Sequence, residues 1–166
     1  MMMIFMPFVV LLGLAAIFDL LTMTIPNWLC AGVVLLFFPT ALIGHLPPGA
    51  LPAQIGCGLT VLAASFLMFQ FGWLGGGDAK LATAIALWLG WSGLPSFLSQ
   101  TALWGGALAV TLLFLRVLVR RFMQVNQLAI GTLFEPGAGA PYGVALALGG
   151  VLSLPDSALW RLSGAA

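Results

Sequence analysis

The chain is a succession of apolar runs separated by short breaks rich in glycine, proline, threonine and asparagine. A helix needs about 20 apolar residues to cross the hydrocarbon of a bilayer. On that scale the pattern predicts spans over 4–24, 28–44, 52–71, 78–89, 96–115 and 141–160. Pro26 disfavours helical geometry in the residue before it, and Thr and Asn suit helix ends, so a short turn is expected at 24–27. The stretches His45-Leu46-Pro47-Pro48-Gly49 and Gly90-Trp91-Ser92-Gly93-Leu94-Pro95 read as loops. The apolar runs are continuous rather than alternating, which argues against a β-barrel. The first span has no basic segment before it and no clear small-residue cleavage site, so it reads as a retained helix. The expectation is an all-α, polytopic membrane protein of about six transmembrane helices, one membrane domain over 1–166.

Composition sharpens this. Hydrophobic residues make up 62% of the chain and charged residues 5%, against about 25% charged in a soluble domain. So few charges cannot solvate a water-exposed surface. The net charge of +1 gives no sign of nucleic-acid binding. Cys30 and Cys57 fall inside apolar runs without a CxxC pair and read as small buried residues.

The one long connection, 116–140, begins with helical spacing. Arg116, Arg120, Gln124 and Gln127 fall on one face, and Leu118, Phe122, Val125 and Ala129 on the other. That fits a helix lying in the membrane interface, or a simple extension of the fifth span. Residues 135–140 read as a flexible loop. Six spans put Lys80, Arg116, Arg120 and Arg121 on one side and Arg161 alone on the other. Basic residues concentrate in cytoplasmic loops, so the first side is expected to be cytoplasmic, with both termini outside.

Candidate chemistry centres on two acids. Asp19 closes a span that reaches the cytoplasmic side, and Asp78 opens one that leaves from it. If those spans are neighbours, the carboxylates can face each other. Two carboxylates in a partly dry site cannot both ionise easily, so one stays protonated while the other is charged. That pairing suits peptide hydrolysis without a metal or cofactor: one group activates water and the other protonates the carbonyl oxygen. Asp78 also reads as a helix cap, since acids favour helix N-termini. Gly75-Gly76-Gly77 before it could let a substrate strand approach the loop closely. The only histidine is His45, on the opposite side, and there is no HExxH motif, which speaks against a metallopeptidase. Ser65 and Ser99 read as helix-packing residues.

The motifs resemble those of type IV prepilin peptidases. Asp19 followed by Thr22, Thr24 and Ile25-Pro26-Asn27 resembles the first aspartate motif. Gly75-Gly76-Gly77-Asp78 with Lys80 is similar to the Gly-x-Gly-Asp motif carrying the second. Pro141-Tyr142-Gly143 resembles the segment that opens the family's last span. The resemblance implies an inner-membrane aspartic peptidase of bacteria that removes the leader from prepilins or pseudopilins at the cytoplasmic face. It implies catalytic roles for Asp19 and Asp78. Gly75, Gly77, Lys80, Pro26, Asn27, Pro141, Tyr142 and Gly143 match supporting positions. Lys80 could lower the pKa of Asp78 or hold a backbone, or serve as a positive-inside anchor. Larger members carry a zinc-binding insertion and methylate the new N-terminus. The connection at 24–27 is too short for that insertion, so the chain resembles the compact, peptidase-only members linked to Flp (tight-adherence) pili. The rival readings are an ion or proton transporter using the aspartates as a relay, a non-catalytic pilus assembly protein, and a presenilin-like intramembrane protease.

Overall fold

The computed structural model describes residues 2–44, 46–47, 49–122 and 139–163. Among these described residues six α-helices follow in order: α1 Met6–Thr22, α2 Asn27–Ile43, α3 Leu51–Gln70, α4 Gly76–Phe122, α5 Tyr142–Leu152 and α6 Ala158–Leu162. Single 3-10 turns precede α1 (Met2–Phe5) and separate α5 from α6 (Leu154–Asp156). The described residues contain no strand. Prolines open α1 and α3 in the first turn, where a missing N–H leaves no helical bond unmade. His45, Glu135 and the interfacial face expected from Gln124 onward lie outside the described residues.

Two expected boundaries are corrected. The stretch 90–95 is not a loop. Within α4 only Gly90 leaves helical geometry, with φ 61° and ψ −171°, and it divides α4 into limbs 76–89 and 91–122. One glycine at positive φ suffices to redirect the chain, and the fixed φ of Pro95 is compatible with a helix. The expected span 141–160 is also broken. The 11-residue α5 ends at Leu152. After the turn around Pro155, the Ser157 side chain accepts a hydrogen bond from the Trp160 N–H and starts α6.

Met3–Thr22, Leu51–Gln70 and Gly76–Leu118 are long and apolar enough to cross a membrane, the last of them kinked at Gly90; Asn27–Ile43 and Tyr142–Leu152 are shorter apolar helices. Only 17% to 28% of the three spanning windows is buried inside the protein. Leu21, Leu35, Leu42 and Val110 are largely exposed. Outward apolar surface on this scale suits lipid rather than water, and the chain is an all-α, polytopic membrane protein.

The core is built at one end around Trp88. Its ring lies 4.5 Å from Phe8, 6.0 Å from Phe37 and 6.5 Å from Phe5, centroid to centroid. Its Nε1–H donates to the Val33 carbonyl at 2.8 Å, which satisfies the indole inside an apolar cluster. Helix α1 runs from Phe8 toward Asp19, and the first limb of α4 runs from Asp78 toward Trp88. At 1.5 Å per residue both stretches measure about 15 Å. An antiparallel match of Phe8 to Trp88 therefore brings Asp19 level with Asp78. Helix α5 fits between the two. A Cβ at Gly150 would stand 3.0 Å from both Leu12 of α1 and Ile85 of α4. Small residues let helices approach in lipid, where apolar surface gives little drive to associate.

Gly90→Ala is expected to lower the unfolding free energy in detergent by about 1–3 kcal/mol, because a Cβ is strained at this φ and would also meet the buried Gln54 side chain. Adding Gln54→Ala should recover only the part due to the collision. Denaturant titration of the single and double variants separates the two.

Candidate active site

Asp19 lies in the last turn of α1, 5% exposed, facing the protein rather than lipid. An acid buried in an apolar bundle needs compensating donors. The Gly143 backbone N–H, in the first turn of α5, donates to Asp19 Oδ2 at 2.7 Å. A helix N-terminus offers both free amides and the positive end of the helix dipole, so it suits an anion. The fit requires glycine. A Cβ at Gly143 would stand 2.8 Å from Asp19 Oδ2 and 2.8 Å from Ile25 Cδ1.

The chain leaves α1 sharply. Met23 adopts the left-handed conformation (φ 53°, ψ 27°) and its N–H donates to the Asp19 carbonyl at 2.9 Å. Thr22 Oγ1 accompanies the turn, donating to the Phe18 carbonyl at 2.8 Å and lying 2.8 Å from Thr24 Oγ1. Pro26 then caps α2 with φ −62° and ψ 138°. Ile25, at the centre of this turn, is buried. Its Cβ lies 3.2 Å from where a Cβ at Gly77 would stand.

Asp78 is the third residue of α4 and half-buried. Its carboxylate folds back over Gly75, whose absent Cβ would lie 2.8 Å from Asp78 Oδ2. The Gly75 carbonyl accepts the first helical bond, from the Ala79 N–H at 3.0 Å. The acid thus stands in the first turn of its helix and lines the same cleft as Asp19. Asp19, Met23, Thr24, Ile25, Gly75, Gly76, Gly77 and Asp78 line one cleft of about 300 Å³. That volume admits several waters at about 30 Å³ each. A water held between a charged and a protonated carboxyl is positioned to lose one proton while an adjacent carbonyl gains another.

The remaining expected positions are not among the residues that line this cleft. Lys80 Nζ does not reach toward Asp78 but donates to Asn27 Oδ1 at 2.7 Å, tying the first turn of α4 to the first turn of α2. Pro141 is the N-cap of α5 and Tyr142 its first residue. The Tyr142 ring fills the space beside Gly105 in the second limb of α4. Arg116 Nη2 donates to the Gly139 carbonyl at 2.9 Å, fastening the segment that leads into α5. All three glycines of the run line the cleft. The spaces beside Gly75 and Gly77 are taken by Asp78 and Ile25 themselves. Ser65 Oγ donates to the Val61 carbonyl of its own helix at 2.7 Å, as a packing residue does. Met23 was not legible as a site residue, since an apolar side chain in an apolar sequence carries no signal; Ile25 stood in the Ile25-Pro26-Asn27 stretch but without a role of its own.

A model of the type IV leader peptidase family matches residues 6–110, a region that holds both aspartates and ends before Pro141. No curated protein and no solved structure matches the chain.

Gly143→Ala is expected to cost about 1–3 kcal/mol of stability, because the added methyl overpacks against Asp19 and Ile25. Gly106→Ala serves as the control: nothing lies within 4 Å of its Cβ position, so it should be neutral or slightly stabilising. A double-mutant cycle on Lys80→Met and Asn27→Ala should give a coupling of no more than about 1 kcal/mol, since the lysine is exposed. Thermal unfolding in micelles reads both.

Proposed function

The chain belongs to the type IV leader peptidase family, and on that premise we propose that it is a membrane aspartic endopeptidase that removes the N-terminal leader from prepilins or pseudopilins. The observation that carries this reading is the cleft itself. Two acids far apart in sequence, among only four acidic residues in the chain, meet in one cleft. Acids inside a membrane protein are costly and usually have a task.

In the proposed reaction the ionised carboxylate of the pair takes a proton from water. The oxygen adds to the scissile carbonyl carbon, and the protonated partner gives its proton to the carbonyl oxygen. The tetrahedral diol then collapses. The C–N bond breaks, the nitrogen takes up a proton from the dyad, and a carboxylic acid and an amine leave. One proton is returned to the pair, which is ready for another turn. The proton belongs to the pair, so neither aspartate is named as the base. Gly143 holds the Asp19 carboxyl and Gly75 leaves room for that of Asp78, while Lys80 and Asn27 tie the start of α4 to the start of α2, which Pro26 caps.

The distribution of basic residues supports a cytoplasmic site in a bacterial inner membrane. Lys80, Arg116, Arg120 and Arg121 fall on the side where α1 ends and α4 begins. The short turn between α1 and α2 leaves no room there for a zinc-binding insertion, which favours peptidase action alone, as in the compact Flp-type members.

Asp19→Asn and Asp78→Asn are each expected to reduce cleavage of a prepilin-type substrate in proteoliposomes by at least about a thousandfold, with the unfolding midpoint unchanged or raised. A gel assay of leader removal checks this. Near-native cleavage by either variant would end the dyad reading.

A further inference from the structure

We propose that Ile25 is a positioning residue whose side chain acts as the spacer setting the separation of the Asp19 and Asp78 carboxyls. The proposal rests on the dyad reading above and adds a residue to it. Ile25 occupies the space left by the missing side chains of the two glycines that stand beside the acids. Asp19 Oδ2 is held by the Gly143 amide at 2.7 Å. Ile25 Cδ1 lies 2.8 Å from the Cβ position of Gly143, and Ile25 Cβ lies 3.2 Å from that of Gly77. Gly77 is joined directly to Asp78. The two glycines have no side chains to adjust, so the length of the Ile25 side chain decides how closely the start of α5 and the start of α4 approach.

Ile25 itself cannot retreat. It is buried, it stands in the turn between left-handed Met23 and Pro26, and its side chain lies beside Gly77 of α4 and Gly143 of α5. A β-branched side chain suits this task because its χ1 is restricted. The spacer also separates two tasks: Gly143 orients Asp19, while Ile25 sets how far Asp19 stands from Asp78.

Other titratable groups on the surrounding elements are held apart from the spacer. Lys80 is bonded to Asn27. Cys30 of α2 lies within electrostatic reach of Lys80 and Asp78. The Tyr142 ring rests on Gly105, and Arg116 donates to Gly139. None of these contacts involves Ile25; because Ile25 also belongs to the buried core, the test follows the unfolding midpoint beside the titration.

The test uses Ile25→Val, which removes Cδ1 only, and Ile25→Ala, in the full chain reconstituted in nanodiscs. Infrared titration follows the protonated-carboxyl band, assigned to the pair by its loss in Asp19→Asn and Asp78→Asn. With the spacer shortened, the carboxyls approach and share their proton more tightly. The two titration steps should therefore move further apart in Ile25→Val than in the native protein, and further still in Ile25→Ala. On a prepilin-type peptide, kcat should fall about ten- to a hundred-fold with KM nearly constant, as expected for misplaced reacting groups. The unfolding midpoint of Ile25→Val should stay close to native. Ile17→Val removes the same methyl from a half-exposed position on α1 and should change nothing. Titration steps unmoved in Ile25→Val, with any loss of cleavage tracking the unfolding midpoint, would reduce Ile25 to a packing residue. If Ile25→Ala fails to fold, the valine variant still decides. The infrared measurement needs no cleavage, so a native protein inert toward prepilins would overturn the substrate reading and leave the spacer to be judged on its titration.

Discussion

A carboxylate inside an apolar bundle has to be met by a donor, and here the Gly143 amide meets Asp19 at 2.7 Å. Much of the architecture serves that bond. Helix α5 must begin beside the end of α1, so Pro141 caps it there and Arg116 holds the chain that precedes it. The first residues of α5 must approach closely, so a glycine stands where any Cβ would strike the acid. An acid without this partner would be a large penalty in a low-dielectric interior, and one with it becomes a group available for chemistry.

The second acid is brought level by register. Helix α1 and the first limb of α4 are antiparallel and pinned at the far end by Phe8 against Trp88. Similar helical lengths then bring Asp19 and Asp78 to the same depth. The aromatic cluster and the acidic cleft are opposite ends of one device. Trp88 contributes by closing its own polar atom on the Val33 carbonyl, which fixes α2 as well and with it the turn that carries Ile25.

Close approach is achieved by small residues rather than by burial of large ones. Lipid solvates leucine as well as protein does, so van der Waals fit and polar contacts have to hold the helices together. Gly77, Gly143 and Gly150 mark close approaches between elements, to Ile25, to Asp19 with Ile25, and to Leu12 with Ile85. Exposed leucines and phenylalanines cover the outside. The three glycines before Asp78 line the cleft, and side chains added there would meet Asp78, Phe69 and Ile25.

The sequence by itself determined the solvent, the helical class, most helix ends and the pair of acids. Those follow from hydropathy, from proline and glycine chemistry, and from the rarity of charge: an acid in an apolar run stands out. It misjudged 90–95 and 141–160, because a glycine- and proline-rich stretch is equally compatible with a loop, a one-residue kink or a broken helix. Only the tertiary structure decided which of them formed. It also decided that α5 lies between α1 and α4, that Lys80 serves Asn27 rather than Asp78, and that Ile25 stands between the supports of the two acids. None of these could be read along the chain. Each depends on which surfaces meet, and an isoleucine in a chain that is 62% hydrophobic announces nothing until its neighbours are known.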